Sequence, residues 1–92
     1  MTIFAKYANP KEGREIERAR TAKILTAGNY YVVDEINMYS YATDIVLANY
    51  DYIFNSVFFD FYNSDGEKID IFQNLEYNNY RRKEETEVSE NE

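Results

Sequence analysis

The chain contains no histidine and no cysteine. Without histidine, general acid–base catalysis near neutral pH loses its commonest agent. Nucleophilic triads of the Ser-His or Cys-His type are excluded. Without cysteine there is neither a disulfide nor a thiolate zinc site, so packing alone must hold the fold. The same absence fits a reducing cytosol. The glycines Gly13, Gly28 and Gly66 stand apart, which leaves no glycine-rich loop to cradle a phosphate. No apolar run approaches the roughly 20 residues that cross a bilayer. The stretch Met1-Thr2-Ile3-Phe4-Ala5-Lys6 is too short and too polar for a signal peptide. A soluble, cytoplasmic protein is expected.

Basic charge is scarce beyond the first quarter of the chain. Residues 1–23 carry six basic side chains against three acidic, a net of +3. Residues 24–80 carry only Lys68 against nine carboxylates, a net of −8. Residues 81–92 carry three basic against five acidic, a net of −2, and the whole chain stands at −7. Phosphate repulsion makes duplex nucleic acid an unfavourable ligand for residues 24–80, and a basic protein a favourable one.

Ninety-two residues, 45% of them hydrophobic, suit a single domain with a modest core. The most apolar stretch is Ile53-Phe54-Asn55-Ser56-Val57-Phe58-Phe59-Asp60-Phe61-Tyr62. Read at period two, it puts Val57, Phe59 and Phe61 on one face and Phe58, Asp60 and Tyr62 on the other, as in a half-buried central strand. Thr2 to Tyr7 predicts a short edge strand. Asn9-Pro10-Lys11-Glu12 has the order of a helix start, so a helix is predicted over about 10–25, with Ile16, Ala19, Ala22 and Leu25 as its narrow apolar face. Strands are predicted from Tyr30 to Ile36 and between Tyr41 and Asn49, with Ile45 and Leu47 inward. Asn63-Ser64-Asp65-Gly66-Glu67 predicts a tight hairpin turn, and Lys68 to Phe72 a returning strand. Residues 81–92, with one apolar side chain, predict a disordered acidic tail after a single domain over 1–80.

Short strands joined by tight turns, without alternating helices, predict an α+β fold: a small SH3-like antiparallel β-barrel or bent sheet preceded by one surface helix. Such a pattern carries no function with it.

The residues Gly28-x-Tyr30-x-Val32, then Thr43, Val46 and Leu47, then the block Phe54-Asn55-Ser56-Val57-x-Phe59, resemble small uncharacterised proteins of bacteriophages and prophages of Gram-positive bacteria. The resemblance covers roughly residues 5–72. It implies a phage or mobile-element origin and a host-cell location, without a defined activity. By the habits of small acidic phage proteins, it also implies inhibition of a host defence, as by anti-CRISPR proteins.

The remaining signal is ten tyrosines, more than so small a core can hold with every hydroxyl satisfied. Tyrosine at a surface is enriched in protein interfaces. Rings alternate with carboxylates in Tyr50-Asp51-Tyr52 and Asp60-Phe61-Tyr62. The candidate partner-binding set is therefore Asp44, Tyr50, Asp51, Tyr52, Asp60, Tyr62, Asp65, Glu67 and Asp70. The expected partner is a basic, nucleic-acid-binding host protein, whose groove those carboxylates would fill in place of phosphates. An alternative is an accessory nucleic-acid-binding or assembly role for the helix through Arg14, Arg18 and Lys23, although interleaved glutamates favour a solvated face. A homo-oligomer is a third possibility. Asp60, Asp65, Glu67 and Asp70 lack the spacing of a calcium loop and read as a solvated acidic turn, so no metal or cofactor is expected. A paired-carboxylate hydrolase would need a cleft larger than so small a domain offers, so no enzyme activity is expected.

Overall fold

The strand β2 (Tyr30–Met38) carries the architecture. The computed structural model describes residues 2–82. In chain order these form β1 (Phe4–Tyr7), α1 (Glu15–Ile24), β2, β3 (Thr43–Leu47), β4 (Ile53–Asn55), a 3-10 turn (Ser56–Phe58), β5 (Phe59–Tyr62), β6 (Lys68–Ile69), a second 3-10 turn (Leu75–Tyr77) and β7 (Tyr80–Arg81). Six strands lie in the order β4-β3-β2-β1-β5-β6, and β7 pairs with β2 beside them. All pairings are antiparallel.

A bulge bends β2 between two half-sheets. Val33 lies opposite Leu47 and Glu35 opposite Val46, so β2 advances two residues while β3 advances one. Asp34 is the extra residue, and Val33 and Ile36 both end up buried although three positions apart. The N-terminal part of β2 pairs with β1, and its C-terminal part pairs with β7 along the same edge. The ladder does not return from β6 to β4, so the sheet is bent and open, not closed into a barrel.

The apolar stretch at 53–62 is two strands and a corner, not one central strand. Asn55 accepts the Val57 N–H through its side-chain oxygen at 3.1 Å, and the backbone turns through Ser56–Phe58. The turn moves Phe58 into the core and leaves Val57 exposed. It also carries the chain from the β4 edge to β5, which pairs with β1, so β1 is an interior strand and not the expected edge. Phe54 meets Phe59 edge-on at 6.1 Å, and Tyr7 meets Phe58 at 6.2 Å, so rings from both half-sheets close the core. Each such ring contributes roughly 1.5–3 kcal/mol by burial.

The helix begins at Glu15, later than expected. Asn9 caps a turn, its carbonyl accepting from Glu12 N–H at 3.2 Å, and its own N–H donates to the Phe58 carbonyl. Gly13 then takes φ +78°, which no helix interior allows. Of the expected apolar face only Leu25, just past the helix end, is buried. Thr21 and Leu25 are buried, whereas Ile16 is 61% exposed and Ala19 and Ala22 face solvent.

The hairpin turn forms as expected, with Asn63 and Glu67 bonded across it and Gly66 at φ +84°. The strand after it stops at Ile69, because the Asp70 carboxylate accepts the Phe72 N–H at 3.0 Å and turns the chain. The domain boundary expected at residue 80 falls inside β7. Arg81 pairs with Glu35 in the ladder, and Arg82 bonds Asp34. The rest of the expected tail lies outside the described residues.

Candidate functional site

The nine carboxylate and tyrosine positions fall in two stretches of the sheet, 44–52 at β3 and β4 and 60–70 at β5, β6 and their turn, two patches by their place in the strand order. The first lies at β3 and β4. Asp44 points outward from β3, between Asn37 of β2 and Asn55 of β4 in the register. Tyr50 and Tyr52 are half-buried and seal the core. Tyr50 stands edge-on to Tyr31 at 5.7 Å, and Tyr52 leans on Phe54 at 4.8 Å. Asp51 is exposed between them.

The second patch lies at β5, β6 and their turn. Lys68 Nζ is 3.6 Å from Asp60 Oδ2, and Asn9 Nδ2 donates to Asp60 Oδ1 at 3.5 Å. The Tyr62 ring meets Tyr30 at 5.4 Å. In the turn, Asn63 Oδ1 accepts the N–H groups of Asp65 and Glu67, each at 2.9 Å, and Asn63 Nδ2 donates to Glu67 Oε1 at 3.0 Å. One asparagine thus orients the turn and leaves the Asp65 side chain in solvent. In sheet order, β2 and β1 separate the two patches. Among the described residues, no three carboxylates come close enough to hold a metal ion.

A groove of about 450 Å³ runs between the start of α1 and the outer side of β3 and β4. Arg14, just before the helix, and Glu17 within it line one side, Asp44 and Ile53 line it from the strands, and Tyr41 from the β2–β3 hairpin. Asn55 Nδ2 donates to Glu17 Oε1 at 3.4 Å and ties the helix to β4. Arg18 is already engaged, because its Nη1 donates to the Gly13 carbonyl at 2.7 Å. Lys23 is exposed in the last helical turn. The structure therefore puts Arg14, from the alternative basic set, in one groove with Asp44, from the acidic set.

Among the described residues, two tyrosines are shifted from their ordinary range. Burial raises the Tyr7 hydroxyl, with a smaller push from Tyr31. That hydroxyl has no hydrogen-bond partner among the described residues. Burial also raises Tyr80, opposed by the Ile3 backbone and Arg82. Neither lies in a patch.

Residues 2–83 match the family model described as Bacteriophage T4 protein Y07B. The chain belongs to this family. Neither curated proteins nor solved structures yielded a match. Membership makes this a small phage protein, and the family description names no activity. No helix among the described residues is long and apolar enough to cross a membrane.

The candidate set drawn from the sequence of this phage-family chain omitted the most prominent aromatic feature of its surface. Tyr39 and Tyr41 stack at the β2–β3 hairpin, ring centroids 5.9 Å apart and planes 18° apart, and Tyr41 is 85% exposed. Ile53, 59% exposed, lies across the groove that Tyr41 lines. The available signal was Tyr39-Ser40-Tyr41: two rings two positions apart, where the strand expected from Tyr30 to Ile36 has ended and the stretch from Tyr41 to Asn49 begins.

Proposed function

We propose that this phage-family chain is a binding protein without catalytic activity. It docks on a basic host protein that handles nucleic acid, and inhibits it in the manner of an anti-CRISPR protein in the host cytoplasm. One observation carries the reading. Of the nine carboxylates in residues 24–80, Asp34, Glu35 and Asp60 have cationic partners. The other six, Asp44, Asp51, Asp65, Glu67, Asp70 and Glu76, have none among the described residues. Carboxylates left unneutralised, five of them in the two stretches at 44–52 and 60–70 and Glu76 in the second 3-10 turn, project a negative field, which steers and holds a basic surface. The SH3-like reading of the fold is supported by the strand order β5-β1-β2-β3-β4, the bulged β2 shared by both half-sheets, and the 3-10 turn between β4 and β5. A Gram-positive host is supported by the Phe54-to-Phe59 resemblance.

The test is a pull-down from host lysate at low and high salt, followed by affinity measurement on the captured protein. The combined variant Asp44→Lys, Asp51→Lys, Asp65→Lys should weaken the association by roughly tenfold or more. An unchanged affinity overturns the reading.

A second reading is favoured by Arg14 and Lys23, which are exposed and in no ion pair among the described residues. In it, α1 contacts DNA or RNA as an accessory or assembly module. Failure to be retained on a DNA or heparin column at low salt removes it.

A further inference from the structure

The groove between the start of α1 and the outer side of β3 and β4 is lined by charge of both signs. Arg14 is exposed and Asp44 half-buried, and neither has an ion-pair partner among the described residues. Glu17, the third charged residue of the lining, is held by Asn55. A uniformly basic surface would meet Arg14 here as a like charge, so this groove does not suit the partner proposed above. Apolar surface gathers at the same place. Tyr41 and Ile53 line the groove and are exposed, and Tyr39 stacks on Tyr41. Val57, also exposed, lies against Gly13 of the lining. These four are half of the eight large hydrophobic side chains exposed among the described residues, so a cover over this one region would remove most of the apolar surface that water meets on the β2–β4 side. The strand order ends at β4, so no further strand of the sheet supplies that cover.

We propose that a second copy of this chain covers the groove, in a two-fold pair in which Arg14 of each copy meets Asp44 of the other. A two-fold axis brings the same patch of both copies together, so the patch must complement itself and every contact is made twice. This patch does so. Each copy supplies the cation that the other's Asp44 lacks and the carboxylate that the other's Arg14 lacks, beside apolar side chains that both copies need covered. A partner of one sign would satisfy one of the two charges and repel the other. The mutual repulsion of two chains at −7 is screened beyond about 8 Å at physiological salt, whereas the contacts inside the pair are shorter than that. The inference goes beyond the basic-partner reading and does not depend on it. The pair covers Asp44, and the acidic stretch at 60–70 lies at the other end of the strand order.

Sedimentation equilibrium of the full chain at physiological salt, over a concentration series, tests the pair. Wild type should show a monomer–dimer equilibrium. Arg14→Glu alone and Asp44→Arg alone should each weaken self-association by roughly tenfold or more, because each brings like charges together twice. Mixed one to one, the two variants should pair with each other, since both contacts then join opposite charges. That recovery belongs to a contact between copies and shows that both variants are folded. Ile53→Ser should weaken self-association by roughly tenfold. Phe72→Ser, at an exposed ring beyond β6, should change it by less than about twofold. A wild type that stays monomeric at millimolar concentration overturns the proposal and leaves the basic-partner reading standing. Self-association that survives both charge variants overturns it, as do folded variants that fail to pair on mixing. Equal association of Ile53→Ser and wild type overturns it whatever the charge variants do.

Discussion

Arg82 reaches back across 48 positions to hold Asp34 twice. Its backbone N–H donates to the Asp34 carbonyl at 2.8 Å, and its Nε donates to Asp34 Oδ1 at 2.7 Å. Asp34 is the bulge residue of β2, so its backbone groups fall out of step with β3. The last described residue of the chain thus satisfies the point at which the central strand bends. Next to it, Arg81 Nε lies 3.8 Å from Glu35 and Nη2 donates to Asn37 Oδ1 at 2.8 Å, so β7 is fastened by side chains as well as by its short ladder.

Asp34→Ala should lower stability by about 1–2 kcal/mol, because the side-chain bond is charge-assisted and only partly exposed. Urea unfolding measures it. A double-mutant cycle with Arg82→Met should show coupling, and additive losses would mean that the pair does not act as one contact. Truncation after Asn79 should cost more, about 2–4 kcal/mol, since it also removes the buried Tyr80 ring.

Gly13→Ala should destabilise by about 1–3 kcal/mol. The backbone there is at φ +78°, and a new Cβ would lie 3.1 Å from Phe58 Cζ, a buried ring with little room to retreat. Thermal unfolding of the variant is the measurement. An unchanged midpoint would show that the turn before α1 can relax.

Tyr7→Phe should leave stability equal or raise it by up to about 1 kcal/mol, because it removes a buried hydroxyl that has no partner. The same substitution should flatten the alkaline limb of the stability curve. Burial raises the Tyr7 hydroxyl in the folded state. Above the ordinary phenol range, near pH 10, the unfolded chain loses that proton while the folded chain keeps it, so stability is intact below that pH and falls as pH rises. Urea midpoints between about pH 8 and 11 for wild type and variant test the sign. Tyr80, raised in the same direction, should leave a residual slope in the variant.

Asn55→Ala should cost about 1–2 kcal/mol through loss of the acceptor for Val57 N–H. It also removes the donor to Glu17, so amide exchange in α1 should speed up more than exchange in β2. Equal acceleration in both elements would show that the asparagine does not tether the helix.

Tyr41→Ala should change stability by less than about 0.5 kcal/mol, since the ring is almost wholly in solvent. If the groove belongs to the docking surface, the same change should weaken binding of the captured partner by roughly tenfold. Calorimetry of the variant with that partner separates the two effects.

Much of the local structure was legible. Thr43–Leu47 alternates buried and half-buried residues, with Ile45 and Leu47 inward as expected, because a side chain's preference for leaving water is written in its own identity. Asn63 to Glu67 turns as expected, since Asn and Gly there meet the backbone's needs without outside help. The exclusions drawn from missing histidine and cysteine, and the charge division at residue 24, are properties of composition and need no coordinates. Tertiary structure decided what depends on partners distant in sequence. It split residues 53–62 because β5 finds β1, and it exposed Ile16 because the helix is docked through Thr21 and Leu25. It drew Arg81 and Arg82 into the fold because β2 had an edge left open there, and it sorted the carboxylates into two patches by strand order. Periodicity states which side chains must be covered, but the pairing of strands determines what covers them.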